Sequence, residues 1–283
     1  MACSGVRLTY SQGPLLAYWW IDAYVDFNAE QAPRAKTALE DWFDWHRATQ
    51  LLDYAALLSA AQRLAVDNVT AAQVCRMVEE GERRLELAFD QAVPAMAELV
   101  RSFSPAQLQH LEQRYAKGNA EWVRDRLQSS ATERQEAANK RWLDRAESIY
   151  GALDAAQGRL LAEGQAAASF DAERWLAERR LRQQDILRGL RQMQAERADA
   201  ARVQAMLRAF ATHINQSPRA DYRAYRQQQA QANCGLIARL HNVTSDAQRQ
   251  KAVGRLKVWE DDLRALARNG APAKSTATVP ATQ

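Results

Sequence analysis

From Ile186 to Ile214 apolar side chains return every three, four or seven residues: Ile186, Leu190, Met193, Ala200, Val203, Leu207, Phe210 and Ile214. That is the period of an α-helix, and it predicts one long helix carrying a single buried stripe. The same spacing recurs through most of the chain. Leu39, Trp42, Phe43 and His46 share one helical side, and Val253, Leu256, Trp259, Leu263 and Leu266 share another. Composition points the same way. Of 283 residues, 55 are Ala, 32 Arg and 26 Gln, all good helix formers. Ile and Val together number 19 and Gly and Pro 18, too few for a sandwich, a barrel or a Rossmann-type sheet. An apolar share of 47% is too high for a disordered chain. No run of 18 residues is apolar enough for a membrane-spanning helix. The expected fold is all-α, an elongated multi-helix bundle of about six to eight helices.

Helix starts are marked by capping boxes, in which a Ser or Thr caps the third amide and a Gln three residues on reaches back. Thr70-Ala-Ala-Gln73, Ser104-Pro-Ala-Gln107 and Ser245-Asp-Ala-Gln248 have this form. Ahead of them, Leu15 to Phe27 reads as a short helix with Leu16, Trp19, Trp20, Tyr24 and Phe27 on its apolar side. Helical pattern runs from Pro105 to Tyr150, with a break expected near Gly118. Residues 151–169 hold Gly158 and Gly164 among many alanines and read as a flexible connection. The expected organisation is an anchor linker at 1–12, helical lobes at 13–150 and 170–269 on either side of that connection, and a disordered tail at 270–283.

The formal net charge is +4, with basic and acidic residues interspersed. Nucleic-acid binders concentrate basic side chains on one face, so no nucleic-acid partner is expected. A weak positive balance is compatible with an anionic lipid surface. Arg180, Arg188 and Arg191 share a helical side, but Glu173, Glu178, Asp185 and Glu196 are interleaved with the arginines of that region. The side reads either as a solvated face or as a contact for an anionic partner.

Little in the chain invites chemistry. His46, His110, His213 and His241 never fall at metal-ligand spacing, and there is no Cys-x-x-Cys, phosphate loop or nucleophile elbow. No catalytic residue, metal or cofactor is expected. Adjacent acids such as Glu79-Glu80 and Asp261-Asp262 point in different directions on a helix. Cys75 lies beside Val74 and Val78 on an apolar face. It reads either as a small core residue or as a partner for Cys234 in an oxidising compartment. Trp19 and Trp20 are adjacent and cannot both face one core, so one of them is expected to meet a second helix, a partner or a membrane surface.

The first residues, Met1-Ala2-Cys3-Ser4, match the end of a lipobox whose apolar stretch is missing. Further residues carry a resemblance. Cys3-Ser-Gly-Val-Arg-Leu-Thr-Tyr10, Tyr18-Trp-Trp-Ile-Asp-Ala-Tyr-Val-Asp26, Trp42 with Trp45-His46-Arg47, Phe170-Asp-Ala-Glu-Arg-Trp-Leu-Ala-Glu-Arg-Arg180 and the closing Gln248–Leu266 stretch are similar to an uncharacterised family of bacterial outer-membrane lipoproteins. The resemblance implies acylation of Cys3 and a location on the periplasmic face of the outer membrane. Val69-Thr70-Ala-Ala-Gln73 and Phe103-Ser104-Pro-Ala-Gln107 also resemble the Leu-Thr-x-x-Gln motif of the Spy and CpxP periplasmic chaperones, although that motif is itself a capping box.

The expected function is that of a lipid-anchored envelope protein, not an enzyme, with envelope proteins or unfolded polypeptide as partners. Trp19, Trp20, Arg180, Arg188 and Arg191 are its candidate contacts. The alternative is an envelope hydrolase, or a regulator of one, working through acidic residues. A cytoplasmic coiled-coil protein that binds nucleic acid is the third reading. A deep cleft with inward-facing carboxylates would mark the hydrolase, and a shallow apolar concavity the protein binder.

Overall fold

The computed structural model describes residues 5–167 and 170–269. Those residues form twelve helices and no strand. They are α1 (Gly5–Ser11), α2 (Gly13–Val25), α3 (Gln31–Thr49), α4 (Leu51–Leu64), α5 (Ala71–Arg101) and α6 (Pro105–Arg126). Then follow α7 (Ala131–Tyr150), α8 (Ala155–Ala167), α9 (Ala172–Ala195), α10 (Ala200–Asn215), α11 (Ala220–Asn242) and α12 (Asp246–Asn269). The all-α expectation holds, but six to eight helices is too few. The extra breaks are tight turns with strong local stops. Ser130 starts α7 with a capping box closed by Glu133, so the break in the 105–150 stretch lies at residues 127–130 and Gly118 sits inside α6. The long helix expected over 186–214 is two helices. Arg197 takes a left-handed backbone (φ 48°), and the Asp199 side chain then caps α10 by accepting from Arg202 N.

Capping boxes also join the helices to one another. At α3 the Asn28 Oδ1 accepts from Gln31 N, while Asn28 N donates to Gln31 Oε1. Ser104 and Gln107 do the same at α6, Asp154 and Gln157 at α8, and Ser245 and Gln248 at α12. These four glutamines then pair. Gln31 and Gln107 exchange Nε2–H···Oε1 bonds of 3.3 and 2.6 Å, and Gln157 and Gln248 exchange bonds of 2.8 and 2.9 Å. In each pair the amide also donates to the carbonyl two residues ahead of its partner's cap: Ser102, Asp26, Val243 and Ala152. One clasp therefore locks the α2–α3 turn to the α5–α6 turn, and a second locks α7–α8 to α11–α12. Gln31, Gln107 and Gln157 are buried, which the fully bonded amides permit.

Four apolar clusters form the interior. Val93 and Ala97 of α5 meet Val203 and Leu207 of α10, and Leu108 and Leu111 of α6 meet Leu187 and Leu190 of α9. Ala146, Leu161, Leu236 and Leu240 join α7, α8 and α11, and Leu51 packs on Leu266 and Ala267 of α12. Leu190, Val203 and Leu207 are buried, as the stripe requires. The Cys75–Cys234 alternative left open by the sequence resolves as a disulfide, with Cα atoms 5.4 Å apart, tying α5 to α11.

The expected flexible connection at 151–169 instead carries α8, with Gln157, Leu161, Gly164 and Gln165 buried. Gly164 serves packing. A Cβ there would come within 2.4 Å of Leu236 Cδ1, so its absence lets α8 lie directly on α11. Helices from the two expected lobes interleave, since α4 packs on α12 and α5 on both α10 and α11. Cys3, residues 168 and 169, and the tail expected to be disordered at 270–283 lie outside the described residues. Among the described residues no helix is long and apolar enough to cross a membrane.

Candidate polypeptide-binding grooves

An apolar groove of about 340 Å³ runs between α5, α9 and α10. Phe89 and Met96 come from α5, Ile186 from α9, and Leu207, Phe210 and Ile214 from α10. Gly189 makes this geometry accessible, because a Cβ there would stand 2.7 Å from Phe210 Cζ. Without it the Phe210 ring settles against α9. Ile214 is 57% exposed at the groove mouth, and Leu85, one turn before Phe89 on α5, is 65% exposed. Polar side chains stand at the rim: Arg179, Arg182, Gln183, Asp185 and His213.

A second concavity, of about 320 Å³, opens where the α6–α7 turn faces the start of α9. Trp122 and Phe170 line it, edge-on to each other, and Trp122 stacks on Trp175 at 3.9 Å and 28°. The guanidinium of Arg126 lies over the Trp122 ring and that of Arg179 over the Trp175 ring, each at 5.3 Å. Each indole of the stacked pair thus carries its own cation–π contact. Arg134 donates to the Leu127 and Ser129 carbonyls and closes the turn. Arg141 also lines this cleft. Partial desolvation, with Arg126 and Arg145 beside it, lowers its proton affinity.

Asp125, Asp171 and Glu173 line the second concavity, all three exposed, and Asp185 stands at the rim of the groove, paired with Arg219. Each of the three buried acids among the described residues is paired with an arginine. Glu178 accepts from Ser217 Oγ at 2.8 Å and from Arg219 at 3.1 Å, Glu260 accepts from Gln62 and Arg264, and Asp262 accepts from Arg7. Hydrogen bonds from Gln62 and Arg264 hold the Glu260 carboxyl below its ordinary range. Among the described residues no group of His, Cys, Asp and Glu is arranged to hold a metal ion.

The expected contact residues are not gathered in one place. Arg188 lies against Asp185 and Arg191 against Glu112, both on the surface, while Arg180 is exposed and makes no ion pair among the described residues. Trp19 and Trp20 are both exposed, so neither faces the core, while Tyr24 of the same expected apolar side packs on Tyr115, and the buried residue of that helix is Tyr18. The groove residues Phe89 and Met96 and the stacked Trp122 and Trp175 were not among the expected contacts. Trp122 and Arg126, and Trp175 and Arg179, are each four residues apart. That spacing in a helix is the signal for the two cation–ring pairs.

Compared with known proteins, residues 23–223 match the model of a family of unknown function, DUF6279. No curated protein and no solved structure matches the chain.

Proposed function

Since the chain belongs to the DUF6279 family, whose description assigns no activity, we propose its role from its surfaces: it is a lipid-anchored envelope protein that holds apolar segments of other polypeptides and turns nothing over. The observation that carries this is the apolar groove between α5, α9 and α10. It is lined by Phe89, Met96, Ile186, Phe210 and Ile214, and carries arginines at its rim. Its volume lies at the lower end of that of ligand pockets, enough for one or two anchoring side chains of a helix or extended segment. Aromatic and Arg side chains are the types enriched where protein partners bind most strongly. The buried acids are neutralised by their partners, which supports a binder over a hydrolase. Anchoring comes from acyl chains on Cys3, and the Cys75–Cys234 disulfide supports an oxidising compartment.

The test dilutes a chemically denatured client protein with and without the full chain and follows light scattering. Suppression at near-stoichiometric ratio is expected, weakened several-fold in Ile214→Ser, whose exposed side chain leaves the core intact. Unchanged scattering with the unaltered chain would remove the polypeptide-binding reading. Radiolabelled palmitate should enter the full precursor and not its Cys3→Ala variant.

A further inference from the structure

Helix α2 is apolar around almost its whole circumference. At 3.6 residues per turn, Leu15, Leu16, Trp19, Trp20 and Ala23 fall within an arc of about 140°. The opposite side carries Tyr18, Ile21, Tyr24 and Val25. This inner side rests on α3 and α6. Tyr18 is buried, its ring stacked with Phe27, and Tyr24 packs against Tyr115. A helix apolar on all sides normally belongs to an interior. Here, among the described residues, the outer side stays largely open: Leu15 is 42% exposed, Leu16 45%, Trp19 58% and Trp20 67%. Four large side chains at i, i+1, i+4 and i+5 form one contiguous patch on a helix held rigidly from behind. Such a patch marks a surface that is covered when the protein works.

Several observations favour lipid as the cover. The two adjacent indoles sit beside two leucines, and indole rings prefer the boundary between headgroups and acyl chains. The outer arc carries no charge. The only charged residue of α2, Asp22, lies at the edge of that arc next to Leu15, half-buried, with its Oδ1 accepting from Phe27 N. Two cations lie over the inner tyrosines of the same helix: Lys36 Nζ stands 4.7 Å over the Tyr18 ring, and the Arg114 guanidinium 5.1 Å over Tyr24. Lys36 is exposed and free to meet a lipid phosphate. The exposed apolar residues also cluster close to the proposed anchor. Leu8 of α1 is 65% exposed, and α2 begins ten residues after Cys3. The intervening α1, seven residues long, spans about 10 Å.

We propose that the outer face of α2, formed by Leu15, Leu16, Trp19 and Trp20, seats in the interfacial layer of a phospholipid leaflet and sets the orientation of the bundle on the membrane. This builds on the envelope reading but is tested separately from acylation. The full chain carrying Cys3→Ser is floated with vesicles of phosphatidylethanolamine and phosphatidylglycerol. It should co-float and its tryptophan emission should shift to the blue, and the partition coefficient should fall at least about tenfold in Trp19→Ser/Trp20→Ser. Both positions are exposed, and an unchanged far-ultraviolet circular dichroism spectrum checks that the variant folds. Trp20→Phe should retain most of the binding. In the acylated protein, brominated lipids should quench emission in the unaltered chain and clearly less in the double Ser variant. Palmitate labelling with equal quenching in both would keep the anchor and overturn the face. Vesicle binding lost with Trp19 and Trp20 but no palmitate on Cys3 would keep the face and overturn the anchor. A concentration-dependent dimer abolished by the double substitution, without vesicle binding, would show that a second copy covers the face and would also overturn the inference.

Discussion

Gln107 makes four hydrogen bonds with one side chain: to Ser104 N, to Asp26 O, and a pair with the Gln31 amide. Gln107→Ala leaves the Asp26 carbonyl and the Gln31 amide short of partners in a buried place. The expected cost is about 1–3 kcal/mol, read as a lower urea midpoint with unchanged slope. The Ser-x-x-Gln pattern was legible because capping is local. Its second use was not, because the partner glutamine lies 76 residues away. Two histidines make a pH prediction. Burial lowers the affinity of His46 for a proton. Burial also lowers that of His241; Arg249 assists, and the hydrogen bond to the Asp67 carbonyl opposes. In the unfolded chain both return to the ordinary value of 6.5 and bind protons first. Their contribution to stability is therefore present above that value and is lost as the pH falls below it. The melting temperature should drop between about pH 6.5 and 5. His46→Gln with His241→Gln should flatten that part of the profile in calorimetry, and an unaltered slope would show that other groups set it.

Among the elements, α9 and α10 show how a stripe can be read correctly and its helix incorrectly. The apolar period passes through the turn in phase, so Leu190 and Leu207 are buried on either side of it. The stop was hidden because Asp199 caps α10 without a Glu or Gln three residues later; Arg202 stands there. Leu207→Ala should cost about 2–5 kcal/mol in chemical denaturation, as expected for a buried leucine. A loss under about 0.5 kcal/mol would place Leu207 on a surface. Helix α8 illustrates the opposite error. Small residues that signal slack in a sequence also permit close packing, and at Gly164 the neighbour is Leu236. In α2 the period named an apolar side but could not say whether protein or something else lies against it.

At the scale of the whole molecule, the helical class was plain from the period and the scarcity of β-branched residues. The groove was legible only on one side: Ile186, Leu207, Phe210 and Ile214 stood on the expected stripe, but Phe89 and Met96 reach them from α5, much earlier in the chain, and no local pattern declares that meeting. The covalent link between α5 and α11 was one of two readings until geometry chose it. Cys75→Ser with Cys234→Ser should cost about 2–5 kcal/mol, since the bond closes a long loop. Its other consequence is mechanical. Every residue named in the groove, from Phe89 to Ile214, lies between the two half-cystines. A pull on the ends of the chain passes from residue 75 straight to residue 234 and leaves the groove outside the line of tension. In single-molecule stretching the oxidised protein should extend less than the reduced one by roughly 520–570 Å, the span of the 159 residues bypassed. A protein held at one end by a membrane and tugged at the other would keep its grip on a client until that bond is reduced.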